Sequence, residues 1–195
     1  IKNSSNLLLK QTENFILDGK SKNVNAFFNC KNSANNIAEF FYIIANLYST
    51  DKNYKLSNFY LKIALFLNKK FLPYKVLLAE NYYHQNRIKL SKKTFQSIKS
   101  IGPVYSWYST KSIARMSIKE SDAKESINLL EKELNLLTKV NYEHYYELAN
   151  FYNENEYYKK SIKYYSLALK NIEQNHFLVP KILFRRGTSY ERLGD

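Results

Sequence analysis

A short pattern of small residues recurs along this chain at a period of 34 to 35 residues. Ala45 is followed twelve positions later by Ser57, and Ala79 is followed at the same spacing by Ser91. Further copies centre on Ala114 with Ser126 and on Ala149 with Ser161, and Gly187 begins a fifth copy after a longer interval of 38 residues. A fixed period of this length is typical of repeat architectures, in which each unit is one supersecondary element that stacks on its neighbours.

The layout inside one copy predicts two helices of roughly 14 residues joined by a tight polar turn. Small residues such as Ala45 and Ser57 let two helices cross closely, while Phe41, Tyr48 and Leu61 surround the crossing at helical spacing. The 4 Gly and 3 Pro are too few for an architecture of many short strands. We predict helix pairs near 38–67, 72–100, 106–138 and 142–172, followed by an unpaired helix near 178–192.

These positions resemble the tetratricopeptide repeat (TPR) family. The matching residues are Phe41, Ile44, Ala45, Tyr48, Ser57, Leu61, Ala64, Leu78, Ala79, Tyr82, Ser91, Phe95, Pro103, Tyr145, Leu148, Ala149, Tyr152, Ser161, Tyr165, Ala168, Gly187 and Tyr190. The resemblance implies an all-α, right-handed superhelical solenoid of antiparallel helix pairs over residues 38–195. About four full repeats and the first helix of a fifth are expected there. Because the chain starts at Ile1, we expect it to be a fragment of a larger bacterial multi-repeat protein.

Residues 1–37 do not fit the repeat. Asn6 to Ile16 predicts one helix, which the run from Asp18 to Asn23 breaks. We expect this N-terminal helix and an irregular lead-in to cap the exposed face of the first repeat, since terminal repeats need a cap. Ser33 is predicted to be the N-cap of the first repeat helix.

No catalytic constellation emerges from the sequence. Cys30 is the only cysteine, so neither an intrachain disulfide nor a Cys-rich zinc site is available, and no glycine loop that could cradle a phosphate occurs. Glu80 and His84 share a helical face, but two ligands do not make a metal site, and a surface ion pair is the favoured interpretation. We therefore predict no catalytic residue, metal or cofactor, and expect the chain not to be an enzyme.

The resemblance implies that the first helices of successive units line a concave groove. In units one and two the implied groove residues are Tyr42, Ile43, Asn46, Val76, Leu77, Glu80, Tyr83 and His84. Tyrosine and apolar anchors of this kind are used by peptide-binding hot spots. Two interpretations stay open at this point, because a partner could bind the surface or the N-terminal segment could cover Ile43 and Leu77.

Charge alternates along the later units of the implied groove. The residues concerned are Lys111, Arg115 and Lys119 in unit three, Glu143, Glu147, Asn150 and Glu154 in unit four, and Lys181, Arg185 and Arg192 in unit five. The favoured interpretation is a salt-bridge ladder from Arg115 through Glu147 to Arg185, worth about 0–1 kcal/mol per exposed pair. The other is a partial resemblance to the TPR carboxylate clamp, which grips a chaperone peptide's C-terminal carboxylate. Lys111, Lys181 and Arg185 match its basic positions, whereas Arg115 and Glu147 stand where the clamp has Asn.

A scaffold that binds a protein or peptide in the groove is the predicted function. The alternatives are nucleic-acid or other polyanion binding, which the net charge of +13 would favour, and a non-catalytic arm of a larger enzyme. No apolar run of about 20 residues occurs, so no transmembrane segment is expected. We expect a soluble protein of the bacterial cytoplasm or periplasm that self-associates through its C-terminal helix, where Leu183 and Tyr190 lack a partner helix.

Overall fold

The computed structural model describes residues 6–23, 29–71, 73–118 and 123–194, and over these ranges its regular elements are all helical. The chain forms two compact units, of which the first ends at Met116 and the second begins at Ser117. The α-helices of the first unit are α1 (Leu7–Leu17), α2 (Ser33–Thr50), α3 (Tyr54–Leu67), α4 (Tyr74–His84), α5 (Ile88–Ile98) and α6 (Pro103–Ile118), the last of which extends two residues beyond Met116. Those of the second unit are α7 (Ala123–Leu136), α8 (Tyr142–Glu154), α9 (Tyr158–Lys170) and α10 (Val179–Leu193). Short 3-10 turns occupy Ser21–Asn23 and Lys99–Ile101.

The predicted helical repeat is confirmed in both units. In the first unit α2 pairs with α3, and α4 pairs with α5. In the second unit α8 pairs with α9, and α9 in turn contacts α10. The prediction for the start of α2 is wrong. Asn32 is the N-cap, since its side chain accepts from the backbone N–H groups of Ala34 and Asn35, and Ser33 is the first helical residue. The predicted groove residue Lys119 lies outside the described residues.

The small residues lie at the helix crossings, as the spacing predicts. Ala45 and Ser57 are both fully buried, and the Ser57 hydroxyl donates to the Ala45 carbonyl oxygen at 2.7 Å. The Ser91 hydroxyl makes the same 2.7 Å bond to Ala79. Each bond satisfies a buried hydroxyl across the two helices of one repeat, which allows close packing without an unpaired polar group.

A second set of polar contacts joins successive repeats. The Asn81 amide donates to the Ser57 hydroxyl at 2.7 Å and to Asn58 Oδ1 at 3.0 Å, while its oxygen accepts from the Ser49 hydroxyl at 2.7 Å. Asn81 lies two residues after the small residue Ala79. In the second unit Ser189, two residues after Gly187, bonds to the hydroxyl of Ser161 at 2.9 Å and accepts from Asn153 at 2.6 Å. The same positions therefore carry the stacking contact in both units, with the amide and hydroxyl exchanged.

The turns between paired helices use left-handed residues other than glycine. Lys52, Asn86 and Glu156 have φ values of 60°, 58° and 65° and lie at equivalent places after α2, α4 and α8. A left-handed residue just after a helix lets its last carbonyls accept hydrogen bonds from the turn. This shared geometry explains how a chain with few glycines makes equally tight turns in three repeats.

The face of α10 that a second helix would cover is open. Leu183 and Tyr190 are exposed, as the sequence predicts for a helix without its pair, and Phe184 is exposed beside them. Self-association through this face stays a prediction. Within the described residues, no helix has the length and apolar character needed to cross a bilayer.

Candidate functional site

The groove predicted for units one and two lies on α2 and α4 of the first unit, with α6 beside them. The Tyr42 ring stacks on Tyr74 with centroids 4.8 Å apart, and the Asn46 amide donates to the Tyr42 carbonyl at 2.9 Å. Burial raises the pKa of the Tyr42 phenol above its ordinary value. The Tyr74 hydroxyl donates to Glu39 at 3.0 Å, which ties the start of α4 to α2.

Four predicted groove residues share their packing with the N-terminal helix α1. Tyr42 and Leu77 pack on a buried cluster of the first two repeats, against which Leu8 of α1 also packs. Val76 and Tyr83 pack on the next cluster, which reaches Tyr105 and Met116 of α6 and which Leu7 of α1 also contacts. Ile43, by contrast, is 53% exposed. Leu77 is half-buried and Ile43 is open, and both interpretations of this surface stay predictions.

The predicted N-terminal cap stays a prediction, and the described part of that segment leaves one side of α2 open. The outward residues of α2, Ile37, Phe40 and Leu47, are all exposed, so the described part of the N-terminal segment does not cover this face of the first repeat. Leu7 and Leu8 of α1 pack on the clusters of the first three repeats.

A polar centre lies between α4 and α6. Glu80 accepts a short hydrogen bond from the Tyr108 hydroxyl, and the Lys111 ammonium lies 5.6 Å from the Tyr108 ring centroid. Burial raises the pKa of Glu80, and the Tyr108 hydrogen bond and the nearby His84 offset this only in part. Burial, together with the Glu80 charge, also raises the pKa of Tyr108. Arg115, the other predicted basic groove residue on α6, is exposed.

Glu80→Gln is expected to stabilise the first unit at neutral pH. The folded-state pKa of Glu80 is raised, so the ionised carboxylate costs stability above that pKa, whereas a neutral amide can still accept the Tyr108 hydrogen bond. The gain should shrink as the pH falls through the folded-state pKa towards 4.5, where wild-type Glu80 becomes protonated too. Thermal melts of both proteins across this pH range measure it, and a lower melting temperature for Glu80→Gln at pH 7 would contradict it.

His84 is the last residue of α4 and packs against two aromatic rings. Its imidazole stacks on Tyr54 with centroids 5.1 Å apart and meets Tyr83 edge-on at 5.6 Å. The nearby His84 lowers the pKa of Glu80, but less than burial raises it, and the predicted ion pair between these two side chains stays a prediction. Over residues 6–23, 29–71, 73–118 and 123–194, no three His, Cys, Asp or Glu side chains are grouped so that they could hold a metal ion.

In the second unit the predicted site residue Arg185 is part of a local network. Its guanidinium donates to Asn150 Oδ1 at 2.9 Å, and the same oxygen accepts from the Tyr165 hydroxyl at 2.8 Å. Burial raises the pKa of Tyr165 to about 12 despite the nearby arginine. Lys181 lies exposed one turn earlier on α10. The salt-bridge ladder and the carboxylate clamp both combine these residues with Lys111 or Arg115 of the first unit, and both stay predictions.

Sequence reasoning missed the part that Gln11 and Tyr108 play beside the groove. Gln11 of α1 is almost fully buried and bonds to Val104 at the start of α6. Gly102, which precedes Pro103, was the available signal, because an isolated glycine in a repeat boundary often marks a close approach. Tyr108 lies one helical turn before Lys111, at a position that the groove spacing does not include.

No family model and no curated protein sequence matches the chain. Solved structures do match it. A putative kinesin light chain from Podosopora anserina with nearly identical TPR-like repeats has a TM-score of 0.61 at 15% identity, covering 80% of this chain and 86% of its own. BtubC (BKLC) from P. vanneervenii has a TM-score of 0.62 at 13% identity, with coverage of 96% and 80%. PilF from Pseudomonas aeruginosa has a TM-score of 0.54 at 15% identity, with coverage of 95% and 86%.

At 13–15% identity, the similarity between this chain and these solved structures shows the fold alone. The paired helices, the buried small residues at their crossings and the match to TPR-like repeat structures agree with one another. The chain therefore has an all-helical, TPR-like repeat fold.

Proposed function

We propose that this chain is a protein-interaction scaffold that binds a peptide or partner protein on the first-unit groove. This surface consists of Tyr42, Ile43, Asn46, Val76, Leu77, Glu80 and Tyr83. TPR-like folds commonly mediate protein–protein interaction, which supports the class of function. The observation that carries the proposal is an exposed apolar stripe on α2 that includes the groove residue Ile43.

The stripe contains Ile37, Phe40, Ile43 and Leu47, which lie on one side of α2 and are 49–63% exposed. A continuous apolar stripe of this kind is unusual on a surface that faces only water and marks an interaction site more often than isolated apolar residues do. Its spacing of three to four residues is that of a helix face prepared for packing. The stripe borders the groove through Ile43, so one partner can contact both.

The positions of the second repeat that correspond to the stripe are buried. The residues 34 positions after Ile37, Phe40 and Leu47 are Phe71, Tyr74 and Asn81, and these are 6%, 0% and 0% exposed. In the second repeat this face is buried beside the preceding helix α3, which contacts α4. The same face of α2 is thus built from residues that the fold buries elsewhere, and a protein partner is the kind of ligand that buries such residues.

The test is a selection from a displayed peptide library with the immobilised full-length chain, followed by affinity measurements on the selected peptide. Ile43→Asp and Tyr83→Ala should each weaken binding by about 30-fold or more, as hot-spot truncations do. Phe66→Asp, the same charge placed on an exposed residue of α3, should leave the affinity unchanged. Affinity should vary little between low and physiological salt, since apolar burial supplies most of the energy.

A polyanion ligand would behave differently. Single-stranded RNA or heparin would lose affinity steeply as salt rises, through counterion release, and would respond to Lys111→Ala and Arg115→Ala more than to Tyr83→Ala. We expect only weak RNA binding that disappears at physiological salt. RNA binding at micromolar concentration that survives physiological salt, with no selected peptide affected by Ile43→Asp, would overturn the proposed function.

A further inference from the structure

The N-terminal helix α1 packs on the same two buried clusters as groove residues do, and its contacts show what this neighbourhood accepts. Leu7, Leu8, Gln11 and Phe15 lie within one side of α1. Leu8 packs on the cluster shared with Tyr42 and Leu77, and Leu7 packs on the cluster shared with Val76 and Tyr83. Gln11 and Phe15 are buried on the same side.

Gln11 supplies a specific polar contact in the middle of this apolar face. Its side chain is 1% exposed, and its Oε1 accepts from the backbone N–H of Val104 at 3.0 Å. This N–H lies in the first turn of α6, where a helix has no internal acceptor to offer. A Cβ built on Gly102 would lie 2.3 Å from Gln11 Nε2 and 2.4 Å from its Oε1, so the Gln11 side chain fills the space that the glycine leaves.

Only one side of α1 packs against the rest of the first unit. Leu9, Ile16 and Leu17 on its other side are exposed, and α1 has 11 residues, a length at which an isolated helix is marginal in water. Its helical form therefore depends on docking. Ile43 remains exposed while α1 is docked, so the surface can take a larger ligand than α1.

We propose that the first-unit groove binds an amphipathic α-helix of a partner protein, and that α1 holds this place in the free chain. The partner helix presents two adjacent leucine-like residues and, one turn later, a glutamine whose side-chain oxygen accepts a hydrogen bond from the Val104 N–H. This deepens and rests on the proposed function above, since it names the chemistry of the partner. The mode is a helix laid by its apolar face into a groove. Because α1 is tethered, its effective concentration is on the order of millimolar, and the partner must exceed that competition.

The experiment uses the full-length chain and a fluorescent peptide of residues 6–18 as the probe, read out by anisotropy. Wild type should bind the probe weakly because α1 competes. Leu8→Asp, which disrupts α1 docking and leaves the groove unaltered, should bind at least about 10-fold tighter. Leu9→Asp places the same charge on the exposed side of α1 and should bind like wild type. Gln11→Ala is the milder second variant and should also bind more tightly than wild type.

A second probe tests the polar contact itself. The same peptide with its glutamine replaced by alanine should bind the Leu8→Asp chain about 10-fold more weakly than the original, as expected when the acceptor of a buried N–H is removed. Far-UV circular dichroism establishes that each variant keeps the wild-type helix content outside α1.

The proposal is overturned if the folded Leu8→Asp and Gln11→Ala chains bind the probe no better than wild type, or if Leu9→Asp has the same effect as Leu8→Asp. If the probe fails in this way but a selected library peptide still depends on Ile43, the proposed function stands and only the helical partner is excluded. If no library peptide depends on Ile43 either, both proposals are excluded.

Discussion

Asn81→Ala is expected to lower the free energy of unfolding of the first unit by about 2–4 kcal/mol, because it leaves buried partners without hydrogen bonds. The Asn81 amide bonds to Ser57 and Asn58 and accepts from Ser49, and its side chain is fully buried between the first and second repeats. Alanine removes all three bonds and leaves a small cavity as well. The loss should therefore exceed that of a single hydrogen bond.

Trp107 makes the measurement specific. It is the only tryptophan of the chain and is buried in α6 of the first unit, so its fluorescence during urea denaturation follows the unfolding of that unit. Gln96→Ala, which removes an exposed amide from α5, is the matched control and should change stability by less than about 0.5 kcal/mol. An unfolding midpoint for Asn81→Ala equal to that of the control would show that the Asn81 contacts contribute nothing to the stacking of the repeats.

Ala79→Leu and Ala149→Leu are each expected to destabilise their own unit by about 1–3 kcal/mol, since extra methylenes in a close helix crossing force the helices apart. Both alanines are fully buried. Ala79 also accepts the Ser91 hydroxyl through its carbonyl, and this 2.7 Å bond would lengthen as α4 and α5 separate. Trp107 fluorescence reports the first substitution, and far-UV circular dichroism reports the second.

Ala34→Leu is the control for overpacking. Ala34 lies in the first turn of α2 and is only partly buried, so the larger side chain has room there. Its unfolding midpoint should stay close to that of wild type. Unchanged midpoints for both Ala79→Leu and Ala149→Leu would mean that the small residues do not set the distance between the paired helices.

The helix pairs could be predicted from the sequence because the information that determines them is local and repeated. Ala45 and Ser57 recur with the same spacing as Ala79 and Ser91, and the crossing of two consecutive helices depends on little else. The predicted bounds of α3 and α5 end within two residues of the observed ones for that reason. The start of α2 was misplaced because Asn32 and Ser33 are both good N-cap residues, and only the backbone geometry selects Asn32.

The surroundings of the groove were harder to predict from the sequence. The spacing placed Tyr42, Leu77 and Tyr83 on the first helices of their repeats, but it could not say which of them would stay exposed. That depends on α1, whose position is set by contacts with residues about 90 positions away, such as the bond from Val104 to Gln11. Contacts of this range leave no periodic signal in a single sequence. The same holds for Glu80 and Tyr108, which lie 28 residues apart on different helices.

The sequence by itself therefore determined the helical repeat, the positions of the small residues at the crossings and the exposure of Leu183 and Tyr190 on α10. These follow from side-chain volume and helical periodicity, which act over a few turns of one chain segment. The tertiary structure alone decided that α1 lies against the groove clusters, that the stripe on α2 is open and that Glu80 is desolvated beside Tyr108. Each of these depends on which surfaces are removed from water together, and desolvation is a property of the folded neighbourhood rather than of a residue type.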